Sequence, residues 1–243
     1  MAPVEAIALI GVSALIAGVV QGTTGFGGAI CVMMVLPYVF SMPVAAGISS
    51  IICLGLNLQM AVMYRKHLDR KLLFRPILVT VIVASIVISL STSIDGVIAK
   101  KALGVFFIVL CIYYLFIKKD TPHGHPLGLL ADIVCVATSG ACDGMFGVGG
   151  PLMVVYFMAA TRDHPSYLAA IQTYFAFANV YYTVFRVATG VLTVEVVPAA
   201  LVGVAGIFVG GLVAGKLVRV LDHNLVERAV YVMLGVAGVI NLI

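Results

Sequence analysis

The chain has 243 residues, of which 63% are hydrophobic and only 10% are charged, and its net charge is +4. A soluble domain of this length needs far more charge to cover its surface, so a soluble globular class is excluded. The basic residues lie in short separated clusters without an aromatic platform, which argues against a nucleic-acid partner. The composition therefore indicates an integral membrane protein whose partner is the lipid bilayer.

Ten apolar runs follow one another along the chain, delimited by charged residues, prolines and glycines. They cover residues 3–20, 27–41, 43–64, 75–94, 98–117, 127–142, 150–161, 165–185, 194–218 and 224–242. A membrane span needs about 20 apolar residues, with a range of about 17–25. Seven runs meet this length, and the runs 27–41, 127–142 and 150–161 are shorter. These three are expected either to span the membrane or to re-enter it.

The first half of the chain repeats in the second half at an offset of 122 residues. The matched pairs are Gly18 and Gly140, Gly22 and Gly144, Gly25 and Gly147, Gly27 and Gly149, Gly28 and Gly150, Pro43 and Pro165, Asn57 and Asn179, and Pro76 and Pro198. One unbroken offset over this stretch indicates two homologous halves. We therefore predict a first transmembrane repeat over residues 1–117, a cytoplasmic linker over 118–126 and a second transmembrane repeat over 127–243.

Each half holds five apolar runs, and an odd number inverts the second half relative to the first. With the N-terminus outside, eleven Lys and Arg residues fall in inside loops and three in outside loops. The inside residues are Arg65, Lys66, Arg70, Lys71, Arg75, Lys118, Lys119, Arg162, Lys216, Arg219 and Arg228, and the outside residues are Lys100, Lys101 and Arg186. Because basic residues favour the cytoplasmic side, the sequence predicts an all-α polytopic bundle of two inverted repeats in the plasma membrane, with both termini outside.

A glycine-rich segment separates two apolar runs at the same place in each half. The segments are Gln21-Gly22-Thr23-Thr24-Gly25-Phe26-Gly27-Gly28 and Asp143-Gly144-Met145-Phe146-Gly147-Val148-Gly149-Gly150. Glycine inside a helix costs roughly 1 kcal/mol relative to Ala, so we expect both helices to break here. A broken helix leaves backbone N–H and C=O groups unpaired, and hydrocarbon tolerates them only where they face protein, water or a ligand.

Two such breaks in inverted halves predict one shared binding site near the middle of the membrane. The run after each segment begins with free N–H groups and a positive dipole end, which favours an anion. Pro151 suits the first helical position, and the hydroxyls of Thr23 and Thr24 are expected to add donors. No Lys or Arg lies in the middle of an apolar run, so backbone dipoles are the expected source of positive potential.

The alternative interpretation is that the glycines only allow close packing or a tight turn between helices. This interpretation fits Gly206, Gly210, Gly211 and Gly215, because they follow the GxxxG spacing within one run. We therefore expect the helix over 194–218 to be scaffold. The duplicated segments do not form a nucleotide-binding loop, because the Lys-Ser/Thr pair of such a loop is absent and no strand precedes them.

Asn57 and Asn179 occupy matching positions in the middle of their runs. A buried amide needs hydrogen-bond partners, so each is expected either to bind the substrate or to bond a broken helix. Weaker candidates lie about two helical turns earlier on the same runs. They are Ser49, Ser50, Gln172 and Thr173.

Asp143 is the only acid in either glycine segment, and Gln21 takes its place in the first half. A charge deep in a bilayer costs at least roughly 2.5–3.5 kcal/mol, so this carboxylate needs an explanation. It is expected to carry a coupling proton, to bind a cation, to cap a helix or to lie in a solvated vestibule. The five cysteines form no CxxC pair, so neither a metal site nor a cofactor is predicted.

The doubled glycine motif and the repeat organisation resemble the TauE/SafE family of sulfite exporters. The resemblance is carried by Gly22-Thr23-Thr24-Gly25-Phe26-Gly27-Gly28 and by Gly144-Met145-Phe146-Gly147-Val148-Gly149-Gly150-Pro151, and it extends over nearly the whole chain. It implies a secondary transporter that exports a small anion such as sulfite, an organosulfonate or a related sulfur oxyanion. Met145-Phe146 replaces Thr23-Thr24 in the second half, so the two halves are chemically unequal.

Two other functions remain open from the sequence alone. One is a channel-like pore, or a transporter for another small organic acid or cation-coupled solute. The other is a membrane enzyme, which is disfavoured because HExxH is absent and all five histidines lie in predicted loops. A coupling proton or sodium ion and a homo-oligomer are compatible with the transporter. The predicted substrate-binding residues are Gln21, Gly22, Thr23, Thr24, Gly25, Phe26, Gly27, Gly28, Asn57, Gly144, Gly147, Gly149, Gly150 and Asn179, with Asp143 as the coupling candidate.

Overall fold

A computed structural model describes residues 3–113, 128–217, 232 and 235–242. The described residues form helices and turns and contain no strand, so the predicted all-α fold is confirmed. The α-helices are α1 (Pro3–Thr24), α2 (Gly28–Met33), α3 (Met42–Tyr64), α4 (Lys71–Ser91), α5 (Gly96–Ile112), α6 (Leu129–Phe146), α7 (Gly150–Ala160), α8 (His164–Ala188) and α9 (Val197–Leu217).

Some sequence predictions fall outside these residues. They are the linker 118–126, most of the run 224–242, both ends of the chain, and Lys118, Lys119, Arg219, Arg228, His123, His125 and His223.

Five helical segments in the described part of the chain are long and apolar enough to cross a membrane. They are Glu5–Thr24, Met42–His67, Lys71–Ser91, Leu129–Phe146 and Val194–Gly215. Helix α8 is longer than most of them, with 25 residues, but it is less apolar. The outer faces of the spans carry exposed aliphatic side chains, as on α4, where Leu78, Ile82, Ile86 and Leu90 recur every four residues. Lipid is the solvent that such a face requires, so this is a multi-pass integral membrane protein.

Both helices that precede the glycine turns are longer than the sequence predicts. Helix α1 continues to Thr24 and α6 to Phe146, so the breaks are confined to residues 25–27 and 147–149. The short run at 127–142 thus becomes a helix long enough to span. Gly22 and Gly144 lie inside these helices and serve packing instead of breaking them: a Cβ on Gly22 would lie 2.6 Å from Ala214, and one on Gly144 would lie 3.1 Å from Val87.

Helix α7 turns back along α6 after the second break. The hydroxyl of Ser139 donates to the Gly149 carbonyl at 2.8 Å, and farther down α6 the thiol of Cys135 donates to the Leu152 carbonyl at 3.2 Å. As the residue number falls along α6, the number of its partner on α7 rises, so the two helices are antiparallel. With 11 residues, α7 is only about 16 Å long, roughly half the thickness of the hydrocarbon core.

The helices pair across the two halves of the chain. Helix α3 packs on α8, α1 packs on α9, and α4 packs on α6. At the offset of 122 residues, α1, α3 and α4 correspond to α6, α8 and α9. The α1–α9 pair therefore corresponds to the α6–α4 pair, and the α3–α8 pair corresponds to itself. Gly47, near the start of α3, contacts Leu192, just beyond the end of α8, while the turn after α3 contacts α8 itself. Helices α3 and α8 therefore run antiparallel through the centre of the bundle.

Candidate functional site

Left-handed glycines terminate the helices at both breaks. Gly25 has a φ of 81°, Gly27 of 92° and Gly147 of 66°. Residues with a Cβ rarely adopt this region, whereas glycine enters it at no steric cost. The left-handed glycines therefore fix where α1 and α6 stop and, at the first break, where α2 begins.

The first break is held by hydrogen bonds from both halves of the chain. The Gly25 N–H donates to the Gln21 carbonyl at 2.8 Å, and its carbonyl accepts from the side-chain amide of Gln172 at 2.5 Å. The Thr24 hydroxyl lies 2.8 Å from the Val20 carbonyl and 2.7 Å from the Phe26 carbonyl. Its role is thus to offer a donor to the Phe26 carbonyl, a backbone group that the break would leave unsatisfied.

The threonine hydroxyls are not available to a ligand, which corrects the sequence-based interpretation. The Thr23 hydroxyl is occupied by the carbonyls of Val19 and Val20, at 2.9 and 2.8 Å, and that of Thr24 by the contacts just described. Threonine in a helix commonly bonds the carbonyl of the preceding turn. Glycine spacing alone gave no indication that these two hydroxyls face their own helix.

The second break is held by Asp143. Its Oδ1 accepts the Gly149 N–H at 2.7 Å, and its Oδ2 accepts the Tyr182 hydroxyl at 3.4 Å. Gly149 immediately precedes α7, so the carboxylate pairs a backbone donor at the entrance of that helix. This contact matches the helix-capping alternative among the roles expected for Asp143. Gln21, its counterpart in the first half, reaches across its own break in a similar way, since its side-chain oxygen lies against Gly28.

A cavity of about 40 Å³ lies between the two breaks. It is lined by Gln21, Phe26, Gly27, Gly28, Ala29, Ser49, Cys53, Asn57, Asp143, Gly147, Gly150, Phe175 and Asn179. Nine of these positions belong to the predicted site: two glycines from each segment, both asparagines, Gln21, Phe26 and Asp143. Residues more than a hundred positions apart in the chain thus meet around one space.

The other predicted positions lie outside this lining. Gly22 and Gly144 pack against α9 and α4, and Gly25 packs against Leu168. Gly149 is covered by Ser139 and Asp143, while Thr23 and Thr24 bond their own backbone. These six residues shape the breaks instead of facing the cavity.

The lining also contains residues that sequence reasoning missed or ranked low. Cys53 and Phe175 each lie one helical turn before an asparagine, and they match each other at the same offset as the repeat. Helical spacing from Asn57 and Asn179 would have found both. Ser49, a weaker candidate, lines the cavity, whereas Ser50 and Thr173 donate to carbonyls of their own helices.

Arg186 is the residue that the sequence-based prediction placed wrongly. The sequence predicts an outside loop for it, but it lies in the last turn of α8 with 0% of its surface exposed. Its Nη2 donates to the Gly144 carbonyl at 2.8 Å and lies 3.5 Å from that of Asp143. Delimiting a run at its first charged residue cannot separate a buried arginine from a loop arginine. Its spacing of seven residues from Asn179 was the available signal, since that spacing returns to the same helix face.

A larger vestibule opens at one end of the bundle, with a volume of about 470 Å³. It lies among the start of α3, the end of α4, the start of α5 and the turn after α8, and its lining includes Pro43, Thr92 and Gly190. Contacts between Gly147 and Ala46 and between Leu192 and Gly47 lie deeper along α3, toward the central cavity. Among the described residues, no cluster of three or more His, Cys, Asp or Glu side chains is arranged to hold a metal ion.

Comparison with known proteins gives one match. The family model described as sulfite exporter TauE/SafE matches residues 10–240. No curated protein and no solved structure matches the chain. The family match covers all of α2 to α9 and both glycine breaks. The chain therefore belongs to the TauE/SafE sulfite exporter family of membrane transporters.

Proposed function

We propose that this protein is a secondary transporter that exports a small sulfur oxyanion, such as sulfite or an organosulfonate, across the plasma membrane. The observation that carries the proposal is the central cavity, where both glycine breaks meet Asn57 and Asn179. Membership of a sulfite exporter family supports a sulfur anion as the substrate class.

The chemistry of the lining favours an oxyanion. Gly28 and Gly150 have no side chain, so a substrate oxygen can approach their backbone closely. Asn57 uses its side-chain oxygen to accept from Gln21, which leaves its N–H donors for a ligand. The 11-residue helix α7 begins at the cavity and directs its positive dipole end toward it. Helix α2 has only six residues, so its dipole contributes less than the sequence-based interpretation assumed.

The size of the cavity supports a substrate of a few atoms. A water molecule needs about 10–15 Å³ of such a cavity, so 40 Å³ holds about three water molecules or one compact anion. Sulfite fits this range better than a larger organosulfonate, which would require the cavity to widen. The modest number of donors also suits a transporter, because the substrate must leave again.

Two access routes would arise from the repeat organisation. We propose that residues 1–117 and 127–243 are inverted repeats joined by a cytoplasmic linker. In support, Gly25 contacts Leu168 as Gly147 contacts Ala46, and each pair is related to the other by the offset of 122. Because α3 and α8 are antiparallel, these two contacts lie toward opposite ends of the bundle. Rocking of one half against the other would open them in turn.

We assign coupling to Asp143, with a proton or a sodium ion as the coupled species. It is the only acid that lines the cavity among the described residues. Asn at this position can still accept the Gly149 N–H through its side-chain oxygen but can neither ionise nor attract a cation. Asp143→Asn is therefore expected to remove a pH or sodium dependence of transport while flux down the substrate's own gradient continues.

Flux measurements in proteoliposomes test the function. Labelled sulfite, thiosulfate, sulfoacetate and taurine are supplied separately to the purified protein. We expect saturable flux of at least one of the three anions and little flux of taurine, which carries no net charge at neutral pH. Flux that rises linearly with concentration would favour a channel-like pore. Absence of flux above that of empty liposomes for all three anions would contradict the proposal.

A further inference from the structure

Arg186 is a buried cation, and no carboxylate among the described residues contacts it directly. The described part of the chain provides Nη2 with two acceptors, the carbonyls of Gly144 and Asp143. It provides none for Nε and Nη1, although both atoms are buried. Backbone carbonyls are dipoles without net charge, so the positive charge of the guanidinium is not cancelled at contact distance.

The position of Arg186 relates its charge to the central cavity. Asn179 lines the cavity, and Arg186 follows it by seven residues on the same face of α8, about 10 Å away along the helix axis. Tyr182 lies between them, with its ring 5.9 Å from the guanidinium carbon and its hydroxyl 3.4 Å from the Asp143 carboxylate. Asp143 forms part of the cavity wall, and Arg186 thus lies behind that part of the wall.

A cavity lined by a carboxylate is a poor site for an anion unless another charge offsets it. Like charges within a low-dielectric site repel strongly, and water does not screen them there. Asp143 is the acid in the lining, and Arg186 is the fully buried cation beside the same break. Helix dipoles, which the sequence predicts as the source of positive potential, are worth only a fraction of a unit charge.

We infer that Arg186 determines the charge preference of the transport site by offsetting the Asp143 carboxylate, so that the cavity accepts a small oxyanion. This inference rests on the proposed function and extends it to a residue that does not line the cavity. Arg186 acts through space, and the substrate itself contacts the glycine backbone and the asparagine amides. The competing interpretation is purely structural: Arg186 pins the end of α6 to α8 through two carbonyls.

A double-mutant cycle separates the two interpretations. The variants are Arg186→Gln, Arg186→Lys, Asp143→Asn and the double variant Asp143→Asn/Arg186→Gln, each purified and assayed for sulfite affinity. We expect Arg186→Gln to weaken sulfite binding at least tenfold and Arg186→Lys to stay within threefold of the wild type, because Lys keeps the charge. The double variant is expected to recover to within threefold of the wild type, since both charges are removed together.

Controls keep the outcome decisive. Arg162→Gln makes the same charge change at an exposed residue and is expected to leave the affinity unchanged. Should Arg186→Gln fail to fold, Asp143→Asn alone still tests the inference, because removal of the carboxylate is expected to make sulfite bind more tightly than in the wild type. The inference is overturned if Arg186→Gln binds within threefold of the wild type, if Lys is as damaging as Gln, if the double variant shows no recovery, or if Asp143→Asn loses tenfold. Failure of the wild type to bind any sulfur anion would instead overturn the proposed function.

Discussion

The side-chain amide of Gln21 donates a hydrogen bond to the side-chain oxygen of Asn57, and both residues are buried beside the central cavity. The bond joins α1, just before its break, to the middle of α3. Gln21 and Asn57 therefore hold the first break against a central helix and orient the Asn57 amide, whose N–H donors have no partner among the described residues.

Asn57→Ala is expected to weaken anion binding by about two- to tenfold, since a hydrogen bond contributes about 0.5–1.5 kcal/mol net and about 1.4 kcal/mol is tenfold. It also leaves the buried Gln21 amide without its acceptor, so the melting temperature should fall as well. Isothermal titration with sulfite gives the affinity. Asn241→Ala removes a buried asparagine far along the chain that bonds the Ala237 carbonyl, and it should leave the affinity intact. Equal losses in both variants would contradict a role of Asn57 in binding.

Thr24→Val is expected to lower stability without changing the affinity for the anion. The hydroxyl pairs backbone carbonyls at the break, and an unpaired buried polar group costs about 1–3 kcal/mol. Thr23→Val is the matched control, because Thr23 is only part-buried and its hydroxyl bonds carbonyls within its own helix. Thermal unfolding and titration on the same preparations separate the two quantities. A selective loss of affinity in Thr24→Val would restore the hydroxyl to the binding site.

Gly150→Leu is expected to abolish anion binding in a protein that still folds. A Cβ at Gly150 would make only an ordinary contact of 3.5 Å with Phe175, so backbone strain is small and the added side chain fills the cavity. The same change at Gly28 is expected to disturb folding too, because its Cβ would collide with the Gln21 side chain. Gly96→Leu is the control, since a Cβ there meets no atom within 4 Å. Full sulfite affinity in folded Gly150→Leu would place the substrate elsewhere.

Gly210→Leu is expected to cause loss of folded protein, because α1 and α9 pack tightly at this position. A Cβ on Gly210 would collide with the Leu15 carbonyl and lie 2.9 Å from the Cα of Gly18. At Gly215, farther along the same helix, a Cβ would meet no described atom within 4 Å, so Gly215→Leu should be tolerated. Size-exclusion profiles in detergent report the folded fraction. A fully folded Gly210→Leu variant that had lost transport would show that α9 is more than scaffold.

The positions of the two helix breaks could be predicted from the sequence, because backbone geometry decides them. Glycine spacing located both breaks, because only glycine tolerates the φ angles of Gly25, Gly27 and Gly147. The repeat paired Asn57 with Asn179, and both line the cavity.

Side-chain direction and burial were not predictable in the same way. The Thr24 hydroxyl can donate a hydrogen bond equally well to a ligand or to a nearby backbone carbonyl, and only the three-dimensional contacts decide between them. Arg186 ends an apolar run, where an exposed and a buried arginine have the same local sequence. Its burial depends on α6 carbonyls about 40 residues away in the chain, and no local pattern reports such a contact.

The orientation of the bundle can be tested at the two ends of α4. This helix has 21 residues, or about 31 Å, which is enough to cross the hydrocarbon core. Lys66, in the basic turn before it, and Thr92, in the vestibule after it, are both exposed. Because basic clusters favour the cytoplasm, Thr92→Cys should react with an impermeant maleimide in intact cells. Lys66→Cys should react only after permeabilisation.

The single cysteines are introduced into a cysteine-free protein, whose own labelling gives the background. The natural cysteines that it lacks are buried or half-buried. Lys118→Cys, beyond the described residues, provides a second position that we expect to be cytoplasmic. Labelling of Lys66→Cys and not Thr92→Cys from outside would reverse the orientation, and the transporter would then present its vestibule to the cytoplasm. Labelling of both from outside would be incompatible with α4 as a span. The predicted result places the 470 Å³ vestibule on the side where an exported anion leaves.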